Sequence, residues 1–167
     1  MCIRDRSETI NHSLTASFDN KNVGSSKVVT VNSITLTDGT NGGLAANYLL
    51  STGQTTTANI TPKTLTASAS ASNKTYDGTT TAISTLTFSG LIGSETLNQT
   101  VGSTFDNKNV GTGKTVTVNS IALADGTNGG LALNYSISSG QITTANITAK
   151  PLSVSGITSS NKSYDGT

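Results

Sequence analysis

The 167-residue chain has one cysteine (Cys2), one histidine (His12), two prolines and no tryptophan. Charge is scarce too: 11% of residues are charged and the net charge is +1. A lone cysteine excludes an internal disulfide framework and a thiolate metal site. With no basic run beyond Arg4-Asp5-Arg6, the chain lacks the clustered cationic footprint that neutralises nucleic-acid phosphates, so no nucleic-acid partner is expected. No apolar run approaches the roughly 18 residues of a membrane-spanning helix, so no membrane insertion by this segment is expected. The first residues lead into SETINHS and not into the apolar segment of a signal peptide.

What is present is Ser, Thr, Asn and Gly around a 33% hydrophobic fraction. Such material is poor for helices and normal for strands joined by tight turns. Apolar residues alternate in short runs, and the balanced charge gives no self-repulsion to keep the chain expanded, so an ordered β-protein is expected over a disordered one. Its composition fits a secreted or surface protein.

Self-similarity organises the chain. Residues 7–62 align with residues 94–149 at 38 identities in 56 positions, an offset of 87. FDNKNVG, DGTNGGLA and TTANIT recur nearly verbatim, and NKTYDGT at Asn73 returns as NKSYDGT at Asn161 after one inserted residue. Residues 63–149 therefore read as one complete repeat, 7–62 as the C-terminal part of a first, and 150–167 as the start of a third. Residues 1–6, MCIRDR, stand where the complete repeat has FSGLIG, and read as a non-native leader that resembles translated adapter sequence. The partial first repeat lacks opening strands and is expected to be less stable than the complete one.

Period-two segments in the complete repeat start at Lys63, Ala82, Thr100, Lys114, Asn134 and Gln141, each of strand length. The alternation of Val116 and Val118 changes phase before Ile121 and Leu123, which predicts a bulge or bend at Asn119-Ser120. Turn residues fill the gaps: Asp77-Gly78, Gly90, Gly93, Asp106 to Asn109 and Asp125 to Gly130. The expected fold is all-β or nearly so, in tandem modules of about 87 residues. Sandwich-like and β-grasp-like sheets, the latter with one short helix, both satisfy the pattern. Short junctions at Pro62 and Pro151 predict stiffly coupled neighbours in an extended array.

Aromatics are few, and each recurs. Tyr76, Phe88, Phe105 and Tyr135 of the complete repeat, with Tyr164, Phe18 and Tyr48 at equivalent positions, are expected as core anchors, with sugar stacking as the alternative for the tyrosines. Catalysis needs a base beside a nucleophile or acid, yet His12 is Gln99 in the other copy, so no enzyme is expected. Asp77, Glu95, Asp106 and Asp125 sit in or beside turns, where an aspartate bonds its own backbone. Calcium is the alternative, although neither DGTNGG nor DNKN has the spacing of a calcium loop. No cofactor is expected. Sequons at Asn59, Asn73, Asn98, Asn146 and Asn161 match the composition. Lys63, Lys74, Lys108 and Lys114 are candidates by type for a Lys–Asn isopeptide, which needs a buried acid beside the pair.

The ordered set as a whole resembles a known family. Tyr76-Asp77-Gly78, then a strand ending near Phe88, then Phe105 before Asn109-Val110-Gly111, then Asn134-Tyr135, and again Tyr164-Asp165-Gly166, resembles the YDG-type tandem repeat of bacterial filamentous-haemagglutinin-like surface adhesins. The resemblance covers all of the chain outside the leader. It implies a secreted or outer-membrane-associated bacterial protein whose tandem modules contact neighbouring repeats and hold an adhesive region away from the cell. Weak binding of host glycan or protein by the repeats themselves, strengthened by copy number, stays open beside that spacer role. DGTNGGLALNY is longer and more glycine-rich than the family's usual approach to Asn-Tyr, so an enlarged loop is expected there.

Overall fold

Alternating Val, Ile and Thr favour a pleated, half-buried backbone, and the chain forms strands wherever that alternation occurs. The computed structural model describes residues 7–166; the leader with Cys2, and Thr167, lie outside the described residues. The first repeat contributes β1 (Ile10–Phe18), β2 (Gly24–Asp38) and β3 (Thr55–Ile60). The complete repeat contributes β4 (Lys63–Thr64), β5 (Thr66–Ala71), β6 (Lys74–Thr75), β7 (Thr81–Ala82), β8 (Ser84–Ser89), β9 (Leu97–Phe105), β10 (Gly111–Asp125), β11 (Tyr135–Ser136) and β12 (Ile142–Thr148). The only helices among the described residues are 3-10 turns at Ala45–Asn47 and Ala132–Asn134. The fold is all-β, and a small sandwich fits it; the helix of a β-grasp is not present among the described residues.

Two layers build the complete repeat. One is a mixed sheet in the order β6-β12-β10-β9-β7, with β6 parallel to β12 and the other pairs antiparallel. The other is the antiparallel pair β5-β8, which lies against β12 and β9. A short parallel pair, β11-β4, joins Tyr135 to Lys63 and Ser136 to Thr64. The register of β10 on β9 shifts between Val118 and Ser120, so the bulge falls where the alternation changes phase. The Asn119 side chain donates to Thr104 Oγ1 at 3.0 Å there. Ala82, Phe105, Val116, Ala145 and Ile147 form the core, with Ala71 and Tyr76 packed against it.

Several strands differ from expectation. The strand expected from Thr100 begins at Leu97, the segment at Asn134 shortens to Tyr135–Ser136, β6 is unexpected, and the segments from Lys63 and Ala82 each split into two strands that join different sheets, β4 and β5, and β7 and β8. The Asp77-Gly78 turn does not close a hairpin, because β6 and β7 are opposite edges of the sheet. The sheet curls enough for Lys74 Nζ on β6 to reach the Thr81 carbonyl on β7 at 3.1 Å.

The first repeat is an internal control on what buries the core. Its β1-β2-β3 sheet repeats the β9-β10-β12 register, bulge included, but residues 7–62 contain no counterpart of β4 to β8. Val116 and Ile147 are fully buried, whereas their counterparts Val29 and Ile60 are only half-buried. Phe105 is 3% exposed and Phe18 39%. Ile147→Ala should therefore cost about 2–5 kcal/mol, and Ile60→Ala much less. Hydrogen exchange read separately on the two repeats checks this; equal losses would contradict it.

Candidate functional site

The Tyr-Asp-Gly motif is a turn built around one lysine. Lys74 Nζ lies 2.7 Å from Asp77 Oδ1, 2.9 Å from the Thr79 carbonyl, 3.0 Å from the Thr79 hydroxyl and 3.1 Å from the Thr81 carbonyl. It also sits 5.7 Å from the centre of the Phe105 ring, a cation–π contact. Asp77 accepts the Thr79 N–H and hydroxyl, each at 2.9 Å, and Gly78 adopts φ +82° to let the chain close. Asn73 Oδ1 accepts the Asn146 N–H on β12 at 2.7 Å, and the Tyr76 N–H donates to the Thr148 carbonyl at 2.8 Å. Asn73 and the Tyr76 backbone thus tie the opening segment onto β12, while Lys74 and Asp77 close the turn toward β7.

The DNKNVG loop is a second lysine-held turn. Lys114, almost buried, lies 2.8 Å from Asp106 Oδ1 and 2.7 Å from Asn107 Oδ1. Asp106 accepts the Asn107 N–H at 2.9 Å, and Asn107 Oδ1 accepts the Asn109 N–H at 3.0 Å. Lys27, Asp19 and Asn20 repeat this arrangement in the first copy.

The loop before Asn134 is ordered by its own turn chemistry. Asp125 Oδ1 accepts the Ala132 N–H at 2.7 Å, Thr96 Oγ1 accepts the Thr127 N–H at 2.7 Å, and the Asn128 side chain donates to the Ser94 carbonyl at 2.9 Å. Gly126 and Gly130 pack so tightly on Thr96 that a Cβ would stand 2.1 Å and 2.0 Å from its carbonyl oxygen. The loop therefore braces the 3-10 turn that presents Asn134 and Tyr135.

These loops meet between the repeats. The Val23 N–H donates to Asn134 Oδ1 at 2.9 Å, and Asn134 Nδ2 donates to Asn22 Oδ1 at 3.1 Å. Lys21 pairs with Glu95 at 2.8 Å, while the Tyr135 hydroxyl donates to the other Glu95 oxygen at 2.6 Å and accepts the Ile92 N–H at 3.1 Å. A cleft of about 280 Å³ lies at the seam, with Ile60, Thr61 and Lys63 among its walls. The Lys21 ammonium and the Tyr135 hydroxyl hold the Glu95 carboxyl below its ordinary range. Tyr135 is pushed up, chiefly because its hydroxyl proton is given to Glu95.

The predicted signature residues divide between these sites. Tyr76, Asp77 and Gly78 build the first turn, Phe105 is buried beneath it, and Phe88 is half-buried on β8. Gly111 starts β10 opposite Ile147. Asn134 and Tyr135 lie at the seam, whereas Asn109 and Val110 are the exposed counterparts of the seam residues Asn22 and Val23. The core-anchor expectation fails for Phe18, for Tyr48 at 47% exposure and for Tyr164 at 98%, because no opening strands cover the first and nothing packs on the last. Asp165 pairs with Lys162 at 2.8 Å beside Gly166 (φ +79°) in an exposed tail. Lys21 and Glu95 were missed as a pair: they stand far apart in sequence, and only the stacking of repeats joins them.

The candidate chemistries have poor geometry. His12 shares a shallow cleft with Ile10, Leu36, Tyr48 and Leu50, and its counterpart Gln99 donates to the Leu86 carbonyl at 2.6 Å. Among the described residues no three His, Cys, Asp or Glu side chains are grouped to hold a metal ion. Lys114 meets the amide oxygen of Asn107 and an ionised Asp106 rather than a buried, protonated acid, which opposes isopeptide formation. Four sequon asparagines, Asn59, Asn73, Asn98 and Asn146, have side chains hydrogen-bonded to backbone. No helix among the described residues is long and apolar enough to cross a membrane.

Stacked all-β modules joined by recurring loop residues define the chain as a tandem array. It belongs to the YDG domain family, matching it over residues 3–58 and again over 61–144, one match on each of the two repeats. Comparison with curated proteins and with solved structures gives no match.

The lysine-held turn carries a pH signature. The Lys74 ammonium, then the Thr79 N–H and hydroxyl, hold the Asp77 carboxyl down to about 2, from 3.8. A carboxyl with a depressed folded value stabilises the fold above its unfolded value and loses that contribution as pH falls through the folded one. Thermal stability should therefore fall from about pH 4 to about pH 2. Asp77→Asn should lower the neutral-pH melting temperature and flatten part of that acid limb, the remainder coming from Asp19, Asp106 and Glu95. An unchanged limb in melts of the variant would contradict this role.

Proposed function

We propose that this chain is part of the structural spacer of a secreted or cell-surface, outer-membrane-associated bacterial adhesin, whose stacked repeats project an adhesive region from the cell. The observation that carries this is the seam: residues that recur in the first two repeat copies, Asn-Val of one DNKNVG loop and the Asn-Tyr of the next module, hold consecutive repeats together. A binding repeat would keep its recurrent residues free for a ligand. Here the recurrent polar residues are used on turns and on the neighbouring module. The partners of the chain are then its own neighbouring repeats, and any host glycan or protein is met through the full-length adhesin.

Asn134→Ala tests the seam. Removing its side chain strips the half-buried Val23 N–H of its acceptor, at a cost of about 1–3 kcal/mol, and should let the two repeats tumble separately in ¹⁵N relaxation. Joint tumbling in the variant would show that the Asn134 contact does not hold the repeats together and would remove the observation on which the reading rests. A glycan array probed with two complete repeats separates spacer from binder. No saturable binding is expected, and clear saturable binding would establish the avidity alternative.

A further inference from the structure

The main sheet of the complete repeat has an open edge. β7 pairs with only Ser103 and Thr104 of β9, so among the described residues Leu97 to Val101 have β10 on one side and no strand on the other. The Phe105 N–H donates to the Thr80 carbonyl, away from β10, whereas the Asp106 N–H donates to the Thr115 carbonyl on β10. By the alternation of an antiparallel ladder, the backbone N–H and carbonyl groups of Gln99 and Val101 therefore face outward. Thr100 between them is exposed.

This edge is a property of the module itself. Residues 10–14 of β1 match residues 97–101, and a β7 counterpart there would reach Ala16 and Ser17, short of them. Stacking does not cover the edge either, because the two repeats share no strand ladder across their seam. Nor is it blunted. Proteins protect such edges with charge, proline or a bulge on the edge strand. LNQTVGSTF of β9 and INHSLTASF of β1 contain no proline and no Asp, Glu, Lys or Arg, and the extra residue of the bulge, Asn119, falls on β10.

We propose that this edge pairs with the same edge of a second copy of the chain, side by side and antiparallel. A two-fold axis at Thr100 sets Gln99 of each copy opposite Val101 of the other, and each pair exchanges N–H and carbonyl in both directions. Self-pairing brings an edge against its own charges, so a charged edge would repel its copy. Here the edge has none, in a repeat that carries four lysines and four acids elsewhere. Thr100 then faces its own counterpart, a favourable cross-strand pair. One such contact is small, but every repeat brings another, so parallel arrays gain strength with copy number. The contact is lateral and the seam is end to end, so it extends the spacer reading to bundled spacers without depending on it.

Sedimentation velocity on the full chain, up to its solubility limit, tests it beside two variants: one with Ser13→Lys and Thr100→Lys, the other with Ser13→Glu and Thr100→Glu. The unaltered chain should associate as its concentration rises. Each variant alone sets like charges across the axis and should associate severalfold more weakly, while an equimolar mixture of the two should recover association, because lysine then faces glutamate. Both positions are exposed on their strands, so the melting temperature of each variant should stay unchanged. A monomer at every concentration overturns the proposal, and so does association indifferent to the substitutions, or a mixture that fails to recover it. Each of those results leaves the spacer role standing, since the seam is read separately from the tumbling of the Asn134→Ala chain.

Discussion

The ammonium of Lys74 is the contact on which the complete repeat depends. The curled five-stranded sheet has β6 and β7 as its edges, and no ladder joins them. Lys74 bridges them by reaching both Asp77 and the Thr81 carbonyl while capping the Phe105 ring. That bridge seats Tyr76 and Ala82 against Phe105, Val116 and Ile147, so a polar turn and an apolar core are fixed together. With so few large apolar residues, the repeat cannot rely on core volume alone. Its loops are fixed by charge-assisted hydrogen bonds, which are shorter and stronger than neutral ones.

A second consequence of that economy is that loops serve as joints. The DNKNVG loop and the loop that ends in Asn-Tyr are each satisfied almost wholly from within: Lys114 holds the one, and Asp125 with Thr96 holds the other. What each leaves over, a valine N–H and an asparagine amide, is what the neighbouring repeat uses. Because the groups are pre-positioned, little ordering entropy opposes docking, and a small contact can couple modules firmly. An array of such units depends on nearest-neighbour interfaces, the usual condition of repeat proteins.

Much of this was legible in the residues. The repeat period, the all-β class, the bulge at Asn119 and the turn roles of Asp77, Asp106 and Asp125 follow from local patterns whose physics acts over a few residues. Strand partners were less legible. The Asp77-Gly78 pair looks like a hairpin turn, yet β6 and β7 pair with β12 and β9, because the parallel β6-β12 contact joins segments far apart in the chain. The Lys21–Glu95 pair was hidden for the same reason. Residue type marked both as charged surface, and only the stacking of repeats brings them to 2.8 Å.

The repeated sequence separates local from tertiary determination within one molecule. The sequence by itself sets the lysine–aspartate turn, which forms at Lys74–Asp77 inside a folded module and again at Lys162–Asp165 in an exposed tail. It also sets the DNKNVG loop and the bulged hairpin, which recur in both copies. Their hydrogen bonds close within the segment, so no distant partner is needed. Burial and docking are different. Phe105 and Phe18 occupy the same motif, yet one is 3% exposed and the other 39%. Asn134 receives a neighbour's valine N–H and Asn47 does not. Tertiary structure decides both, because excluding water from a side chain needs a second layer, and that layer comes from elsewhere in the chain.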